Sequence, residues 1–449
     1  MAVKVVDPRT GDVVGEQWDG AGLGLTVAVW SPVAGDQRLA LIHEREGLDR
    51  PAVWDVATGR RRDLPVDLPG NVDVADWWPD GSALLLVHVH EGRHRLWRLD
   101  LTTEALEPVI HQVGTLAGAA VRPDGEVWLQ VTTGALPATV QTVDGVEVCA
   151  AQGERAPHGV SYEPWWFTDP ATSFGNAADE EFGLEAGTPS GPAGPAALHG
   201  FVATPPGPGP HPVVMLVHGG PDWAYSDAFD PEVQAWIDHG VAVAMVNYRG
   251  STGYGTTFRD ALIGDPGFPE VADVVAGLDS LVAAGIADPT RAVISGGSWG
   301  GYVALLAAGL HPERWAAVVA VVPVGDYVRA FADEAPSLQE FDRSLFGGGP
   351  DEVGDLYRER SPLTYVDRVK SPVLLIAGEN DSRCPIGQVV NYVDALRATG
   401  GEATLHTFDA GHGSLVVDDH VNHMAAELAF VLPHLGLPLE VSMEPATEG

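Results

Sequence analysis

The first 150 residues contain an internal repeat, which restricts their fold more than any other feature of the sequence. One set of turns places a proline between two apolar strands, at Pro32, Pro79 and Pro123. A second set of turns carries an aspartate, at Asp7, Asp55, Asp100 and Asp144. The steps are 47 and 44 residues in the first set and 48, 45 and 44 in the second. Repeats of about 40–50 residues built from short strands and turns are typical of β-propeller blades.

The repeat also sets the number of blades. Asp7 already occupies the outer hairpin of a blade, so the inner strands of that blade are missing upstream. Either residues 155–185 supply these strands and close the ring, or the chain is shortened relative to a longer ancestor. About four blades are expected. We therefore expect an all-β, propeller-like domain over residues 1–185, followed by a boundary rich in glycine and proline at 186–210.

From about residue 195 the pattern changes to apolar strands that alternate with helices. The predicted strands are 212–218, 241–247, 291–295, 316–322 and 372–377, with a weaker one at 403–408. Helical segments include 269–285 and 385–400. Continuous apolar strands separated by helices indicate a mostly parallel sheet buried on both faces. The sequence predicts a doubly wound α/β-hydrolase domain over residues 195–440.

One strand-to-helix junction in this region has the sequence GGSWGG and contains Ser298. A strained turn that pushes a serine hydroxyl out of the sheet needs small residues two positions before and after it, here Gly296 and Gly300. The motif also arises by chance in an ordinary strand-to-helix connection. The junction therefore predicts a nucleophile only if a base and an acid follow it.

Both partners follow in the chain order of α/β-hydrolases, which is serine, acid, histidine. Asp381 comes just after the strand at 372–377, and His412 lies between two glycines after the last strand. Glu379 is an alternative acid. Other nearby acids and histidines are interpreted as loop, strand or helix-surface residues: Asp409, Asp418, Asp419, His406, His420 and His423.

Acyl transfer also requires N–H donors for the developing oxyanion. The strand at 212–218 ends in His218, and the loop HGGP that follows is of the type whose backbone N–H acts together with that of the residue after the nucleophile, here Trp299. The glycines could equally be simple turn residues. Four motifs in order at strand ends nevertheless favour an acyl-transfer site.

These motifs resemble the prolyl oligopeptidase family, nearest to its acylaminoacyl-peptidase and dipeptidyl-aminopeptidase branches, over about residues 195–435. The matching segments are HGGP, NYRGSTGYG (247–255), GGSWGGY (296–302), ENDSRCP (379–385) and GHG (411–413). The resemblance implies a serine peptidase of exopeptidase or oligopeptidase type that cleaves short peptides or aminoacyl amides. It implies a triad of Ser298, Asp381 and His412, an oxyanion hole from the Gly220 and Trp299 amides, and no metal or organic cofactor. Family propellers usually have seven or eight blades, so no substrate-binding residue is transferred from that domain.

Charge and cysteine content restrict partners and compartment. The chain has 25 basic and 62 acidic residues, a net charge of −37, which disfavours nucleic acid and anionic membranes as partners. The N-terminus lacks a signal-peptide pattern and no apolar run is long enough to span a membrane, so a cytoplasmic location is expected. Cys149 and Cys384 fall in different predicted domains, so neither a disulfide framework nor a metal cluster is expected. Cys384 is interpreted as a small packed residue rather than a modulatory thiol.

Two other functions stay open at this point. The same triad would serve an esterase, an amidase or an acyl-transfer enzyme acting on a small metabolite. The second alternative is a binding protein that uses the propeller and has no catalytic activity, which the complete set of triad residues disfavours. The oligomeric state is also open, with a homodimer as one arrangement.

Overall fold

A computed structural model describes residues 2–110, 114–150, 152–168 and 197–439. Its N-terminal part contains one two-stranded and three four-stranded sheets, all antiparallel. The strands are β1 (Ala2–Val6), β2 (Val13–Trp18), β3 (Leu25–Trp30), β4 (Arg38–His43), β5 (Arg50–Asp55), β6 (Arg60–Asp63), β7 (Asn71–Trp77), β8 (Ala83–His90), β9 (Arg93–Asp100), β10 (Leu106–Ile110), β11 (Thr115–Val121), β12 (Val127–Thr133), β13 (Leu136–Thr142) and β14 (Glu147–Cys149).

The sequence repeat corresponds to these sheets. In each four-stranded sheet the repeated proline lies between the first and second strands, and the repeated aspartate lies at the turn between the third and fourth. Asp7 lies between β1 and β2, so this pair is the outer hairpin of a blade, as the spacing predicts. The prediction of a propeller-like domain of about four blades is confirmed as three complete blades and one outer hairpin.

Tryptophans pack adjacent blades together. Trp77 is buried between the sheet of β3–β6 and the sheet of β7–β10, and its indole Nε1 donates to the carbonyl of Val29 at 3.0 Å. Trp54 is buried on the other face of β5, next to the β1–β2 hairpin. Because each sheet buries apolar residues against its neighbours, the N-terminal part is stabilised as a stack of blades.

The C-terminal part is built on one eight-stranded sheet. Its strands are β15 (Glu163–Thr168), β16 (Ala197–Ala203), β17 (His211–Val217), β18 (Ala242–Asn247), β19 (Ala287–Gly297), β20 (Ala317–Val321), β21 (Val373–Gly378) and β22 (Ala403–Phe408), in the order β15-β16-β18-β17-β19-β20-β21-β22. The pairs from β18 to β22 are parallel, whereas β16 is antiparallel to both of its neighbours. This is the mostly parallel, doubly wound sheet that the apolar strands predict.

Helices cover both faces of this sheet. They are α1 (Pro231–Asp238), α2 (Thr256–Arg259), α3 (Phe268–Ala283), α4 (Trp299–Leu310), α5 (Tyr327–Asp333), α6 (Pro336–Phe346), α7 (Pro350–Arg360), α8 (Ile386–Ala398) and α9 (Val417–His434). Short 3₁₀ turns cover Asp260–Leu262 and Pro362–Arg368. The helices α3, α4 and α8 pack on one face and α1 and α9 on the other. No helix of the described ranges is long and apolar enough to cross a membrane.

The structure corrects the placement of one segment. The sequence places residues 155–185 in the propeller domain, but β15, which lies within them, pairs with β16 at the edge of the large sheet. The physical reason is aromatic packing against α3, because the indole Nε1 of Trp165 donates to Ser280 Oγ at 3.3 Å and a Cβ at Gly277 would lie 2.8 Å from the same indole. Residues 169–185 and much of the 186–210 boundary lie outside the described ranges, so the limits 1–185, 186–210 and 195–440 stay predictions.

Contacts between the two parts involve loops at the carboxyl ends of β17 and β18. Asp227 accepts hydrogen bonds from Arg93 Nε at 3.1 Å and from the backbone N–H of Gly134 at 2.9 Å. Arg259 forms an ion pair with Glu44. The N-terminal sheets therefore lie against the edge of the large sheet at which α/β proteins carry their active sites.

A buried carboxyl group on α9 makes a testable contribution to stability. Burial raises the pKa of Glu427 to about 8, and Ser295 Oγ donates to Glu427 Oε2 at 3.4 Å. In the unfolded chain this group titrates near pH 4.3, so between about pH 4.3 and 8 the folded state binds one more proton. This one group therefore lowers the free energy of unfolding as pH rises, by at most about 1.4 kcal/mol per pH unit.

We expect Glu427→Gln to flatten the pH dependence of the unfolding free energy between pH 5 and 8. Denaturant titrations of both proteins at several pH values measure this. Glu402→Gln removes an exposed carboxylate and serves as the matched control. Parallel pH profiles for wild type and Glu427→Gln would contradict the contribution assigned to this group.

Candidate active site

Ser298 lies on a strained turn between β19 and α4. Its backbone has φ 56° and ψ −118°, a conformation that costs a non-glycine residue of the order of 1–3 kcal/mol. The Ser298 N–H donates to the carbonyl of Val321 at 2.8 Å, which ties the turn to the neighbouring strand β20. The surrounding sheet therefore holds the serine in a conformation that it would not adopt alone.

The glycines on either side of the serine are required by close backbone approaches. A Cβ at Gly300 would lie 1.9 Å from the Val217 carbonyl oxygen, and a Cβ at Gly296 would lie 2.5 Å from the carbonyl carbon of Gly300. Neither position tolerates a side chain unless the backbone moves. The steric reason for the motif that the sequence suggested is therefore present in the structure.

His412 brings its ring to Ser298 from the loop after β22. Its Nε2 lies 2.9 Å from Ser298 Oγ, and its Nδ1 lies 2.8 Å from Asp381 Oδ2. Because the carboxylate only accepts, Nδ1–H donates to Asp381 and Nε2 accepts the serine hydroxyl. The loop passes close to the end of β21, where a Cβ at Gly378 would lie 2.1 Å from the carbonyl oxygen of Gly411.

Asp381 is held by its own loop as well as by the histidine. The residue is buried, and its Oδ1 accepts the backbone N–H groups of Arg383 at 2.8 Å and Cys384 at 2.9 Å. These two bonds fix the carboxylate plane, so Oδ2 is aimed at the imidazole. The structure thus brings together Ser298, His412 and Asp381, the three side chains that the strand-end motifs single out.

The alternative acids and histidines make other contacts. Glu379 accepts from Thr407 Oγ1 at 2.8 Å, Asp409 accepts from Asn380 Nδ2 at 3.0 Å, and Asp419 accepts from Ser414 Oγ at 2.5 Å. The remaining three histidines and one acid are interpreted as surface or packing residues: His406 and Asp418 are exposed, His420 bonds the Ser414 carbonyl, and His423 packs on Phe408. Among the described residues, the triad arrangement therefore uses Asp381 and His412.

The loop HGGP lies against the serine turn. A Cβ at Gly219 would lie only 3.4 Å from Ser298 Cβ, and Gly220 adopts a φ of 129° that favours glycine. The N–H of Trp299 belongs to the first residue of α4, so it has no partner within the helix. Both predicted donors, Gly220 and Trp299, thus belong to segments that adjoin the serine.

His218 supports this loop rather than joining the triad. It is buried, its Nε2 lies 2.8 Å from Ser251 Oγ, and its ring stacks on Tyr248 at 4.2 Å. Burial lowers the pKa of His218 to about 4, so the ring is neutral at physiological pH. Tyr248 and Ser251 therefore support the loop. Both lie in the segment NYRGSTGYG, but no role for either residue could be predicted from the sequence.

A second supporting residue is Glu270 on α3, which was not predicted from the sequence. The side chain is fully buried, its Oε1 accepts from the indole Nε1 of Trp299 at 3.1 Å, and its Oε2 accepts from the N–H of Gly267 at 2.7 Å. Burial raises the pKa of Glu270 to about 8. The bond between Glu270 and the indole fixes the side chain of Trp299, whose backbone N–H adjoins Ser298.

Cys384 lies next to the triad and is buried. This agrees with the prediction that it is a small packed residue. Its Sγ, an oxygen of Asp381 and a nitrogen of His412 lie within 4.8 Å of one another, a spacing that could hold a metal ion. Burial raises the pKa of the thiol, which keeps it protonated, and both nitrogens of His412 already have hydrogen-bond partners. This donor set therefore suits proton transfer better than metal binding.

The strand order and the position of Ser298 after β19 define an α/β-hydrolase. Residues 227–438 match the sequence model of the prolyl oligopeptidase family.

Similar proteins include the acylamino-acid-releasing enzyme of Arabidopsis thaliana, 29% identical over 216 residues that cover 44% of this chain and 27% of that protein. Dipeptidyl aminopeptidase BIII of Pseudoxanthomonas mexicana is 31% identical over 233 residues, 51% of this chain and 34% of its own length. This chain therefore spans about a third or less of these curated relatives.

Solved structures resemble both parts of the chain. A puromycin-hydrolyzing peptidase of Mycobacterium tuberculosis superposes with a TM-score of 0.78 at 25% identity, over 97% of this chain and 65% of that one. An acylaminoacyl peptidase of Pyrococcus horikoshii gives 0.71 at 20% identity, over 100% of this chain and 75% of that one, and this likeness concerns the fold alone.

Proposed function

We propose that this protein is a serine peptidase that cleaves short peptides or aminoacyl amides through an acyl-enzyme on Ser298. The observation that carries the proposal is the continuous hydrogen-bonded chain from Ser298 Oγ through His412 to the buried Asp381. The match of residues 227–438 to the prolyl oligopeptidase family model and the similarity to peptidases support the same reaction class.

In the proposed reaction, Ser298 Oγ attacks the carbonyl carbon of the substrate while His412 Nε2 takes the hydroxyl proton. Asp381 holds the imidazole in the tautomer that leaves Nε2 free to accept. The N–H groups of Gly220 and Trp299 stabilise the negative charge on the former carbonyl oxygen. The protonated imidazole then passes its proton to the leaving amine, the C–N bond breaks, and water hydrolyses the resulting ester by the same steps in reverse.

The proposal extends to partners and compartment. Peptides are the proposed partners, because a net charge of −37 repels nucleic acid and anionic membrane surfaces. A cytoplasmic location is proposed because both cysteines are free, the first exposed and the second buried, which suits a reducing compartment.

A comparison of amide and ester turnover tests the proposed reaction against the esterase reading. We expect the wild type to hydrolyse both an aminoacyl anilide and the matched aminoacyl ester. The N–H donors stabilise the oxyanion of either substrate, and the general acid protonates the amine leaving group. The kcat/KM values for both are measured side by side. Ester turnover with no detectable amide turnover would favour the esterase reading and overturn the peptidase assignment.

A further inference from the structure

One loop of the first complete blade contacts the helix α2, which directly follows the segment NYRGSTGYG. The loop connects β4 to β5 and includes Glu44 and Gly47. The carbonyl of Gly47 accepts the N–H of Thr256 at 2.8 Å, and Glu44 forms an ion pair with Arg259. Thr256 and Arg259 are the first and last residues of α2. The blade therefore holds both ends of this short helix.

The ion pair is fixed from both sides of the contact. The side chains of Glu44 and Arg259 are 12% and 25% exposed, so the pair is largely shielded from water. Glu44 Oε2 also accepts the backbone N–H of Gly24 at 2.8 Å, and Arg259 Nε also donates to Asp260 Oδ1 at 2.7 Å. Removal of one member of a shielded pair leaves the other charge uncompensated. The pair therefore resists any displacement of α2 from the blade.

The residues before α2 are tied to the helix itself. The N–H of Gly250 donates to the carbonyl of Phe258 at 3.0 Å, and the Phe258 side chain is buried in the core around the large sheet. Gly255 has a φ of 90°, and a Cβ at this position would lie 3.1 Å from the Gly47 carbonyl oxygen. Because these contacts are close, a displacement of α2 would also displace residues 250–255.

Two hydrogen bonds join this segment to the loop HGGP and the residues that follow it. Ser251 Oγ lies 2.8 Å from Nε2 of the buried His218, the first residue of the loop. The N–H of Thr252 donates to the carbonyl of Trp223 at 3.0 Å. The loop is therefore held at its start and just beyond its end by the segment that the blade contact fixes through α2.

We propose that Glu44 and Arg259 are positioning residues for the reaction at Ser298. Through α2, their ion pair holds the loop HGGP where the Gly220 N–H stabilises the oxyanion. A misplacement of about 1 Å can cost on the order of 100-fold in rate. Because the oxyanion develops only in the transition state, the pair contributes to kcat rather than to KM. This inference rests on the proposed peptidase function.

Glu44→Gln and Arg259→Gln each remove one charge of the pair. For hydrolysis of an aminoacyl anilide we expect each to lower kcat per titrated active site by about tenfold and to leave KM within about twofold of wild type. The double variant should lose no more than either single variant, because the two residues act as one pair. Glu46→Gln changes an exposed glutamate of the same loop and should keep the wild-type kcat. Thermal unfolding checks that each variant is folded.

A purely structural pair would lower the unfolding temperature or the fraction of active sites but not kcat per active site. An unchanged kcat per active site in both single variants, or a raised KM with kcat preserved, would therefore overturn the positioning role.

Hydrogen–deuterium exchange separates failure of this inference from failure of the proposed function, because it requires no turnover. Peptides that cover residues 218–225 are compared in wild type, Glu44→Gln and Glu46→Gln. We expect exchange at least about twofold faster in Glu44→Gln alone, and this result supports the coupling even if the wild type hydrolyses no amide. Equal exchange in all three proteins contradicts it.

Discussion

Replacement of Ser298 by alanine is expected to lower kcat for an aminoacyl amide by about 10⁶-fold, because loss of the nucleophile of such a triad removes the acyl-enzyme route. The fold should persist, since the strained turn is held by the bond from the Ser298 N–H to Val321 and by the close packing of Gly296 and Gly300, none of which involves the hydroxyl.

Single-turnover and steady-state rates of wild type and Ser298→Ala, with thermal unfolding of both, measure this effect. Ser161→Ala, which changes an exposed serine before β15, is the matched control and should keep full activity. A Ser298→Ala protein that retains a tenth of the wild-type kcat would remove Ser298 from the role of nucleophile.

Replacement of Asp381 by asparagine is expected to lower kcat by about 10⁴-fold. The amide would present an N–H to His412 Nδ1 and so favour the tautomer whose Nε2 is protonated and cannot accept the serine proton. Its shape would be kept, and the remaining carbonyl oxygen could still accept the N–H groups of Arg383 and Cys384 that fix Asp381 Oδ1.

Glu379→Gln provides the comparison for this prediction, because Glu379 lies two residues away and bonds Thr407 instead of the histidine. Its effect on kcat should be small. If Glu379→Gln were more damaging than Asp381→Asn, the acid of the triad would be misassigned.

The propeller and the large sheet could be predicted because their signals are local and repeated. Turn residues such as Pro79 and Asp100 recur at blade spacing, and each turn is fixed by a few neighbouring residues. The placement of β15 could not be predicted, because an aromatic strand has the same sequence pattern in a propeller blade and at the edge of a larger sheet. Its contact with Ser280 on α3 decides the question, and that contact is more than 100 residues away.

The triad could be predicted for a similar reason. Ser298, Asp381 and His412 each follow a recognisable strand, and parallel strands bring their carboxyl ends to one edge of the sheet. The supporting residue Glu270 could not, because a glutamate in the first turn of a helix resembles a solvent-exposed residue. Glu270 is buried only through packing between distant elements, which no local pattern encodes.

Covalent labelling with a fluorophosphonate, followed by peptide mass mapping, tests the central claim most directly, because the reagent reacts with an activated serine whatever the natural substrate is. We expect one adduct per chain, on Ser298, formed rapidly by the wild type and strongly slowed in Asp381→Asn. Absence of an adduct from the folded wild type, or an adduct on another serine, would contradict the assignment of Ser298 as the nucleophile.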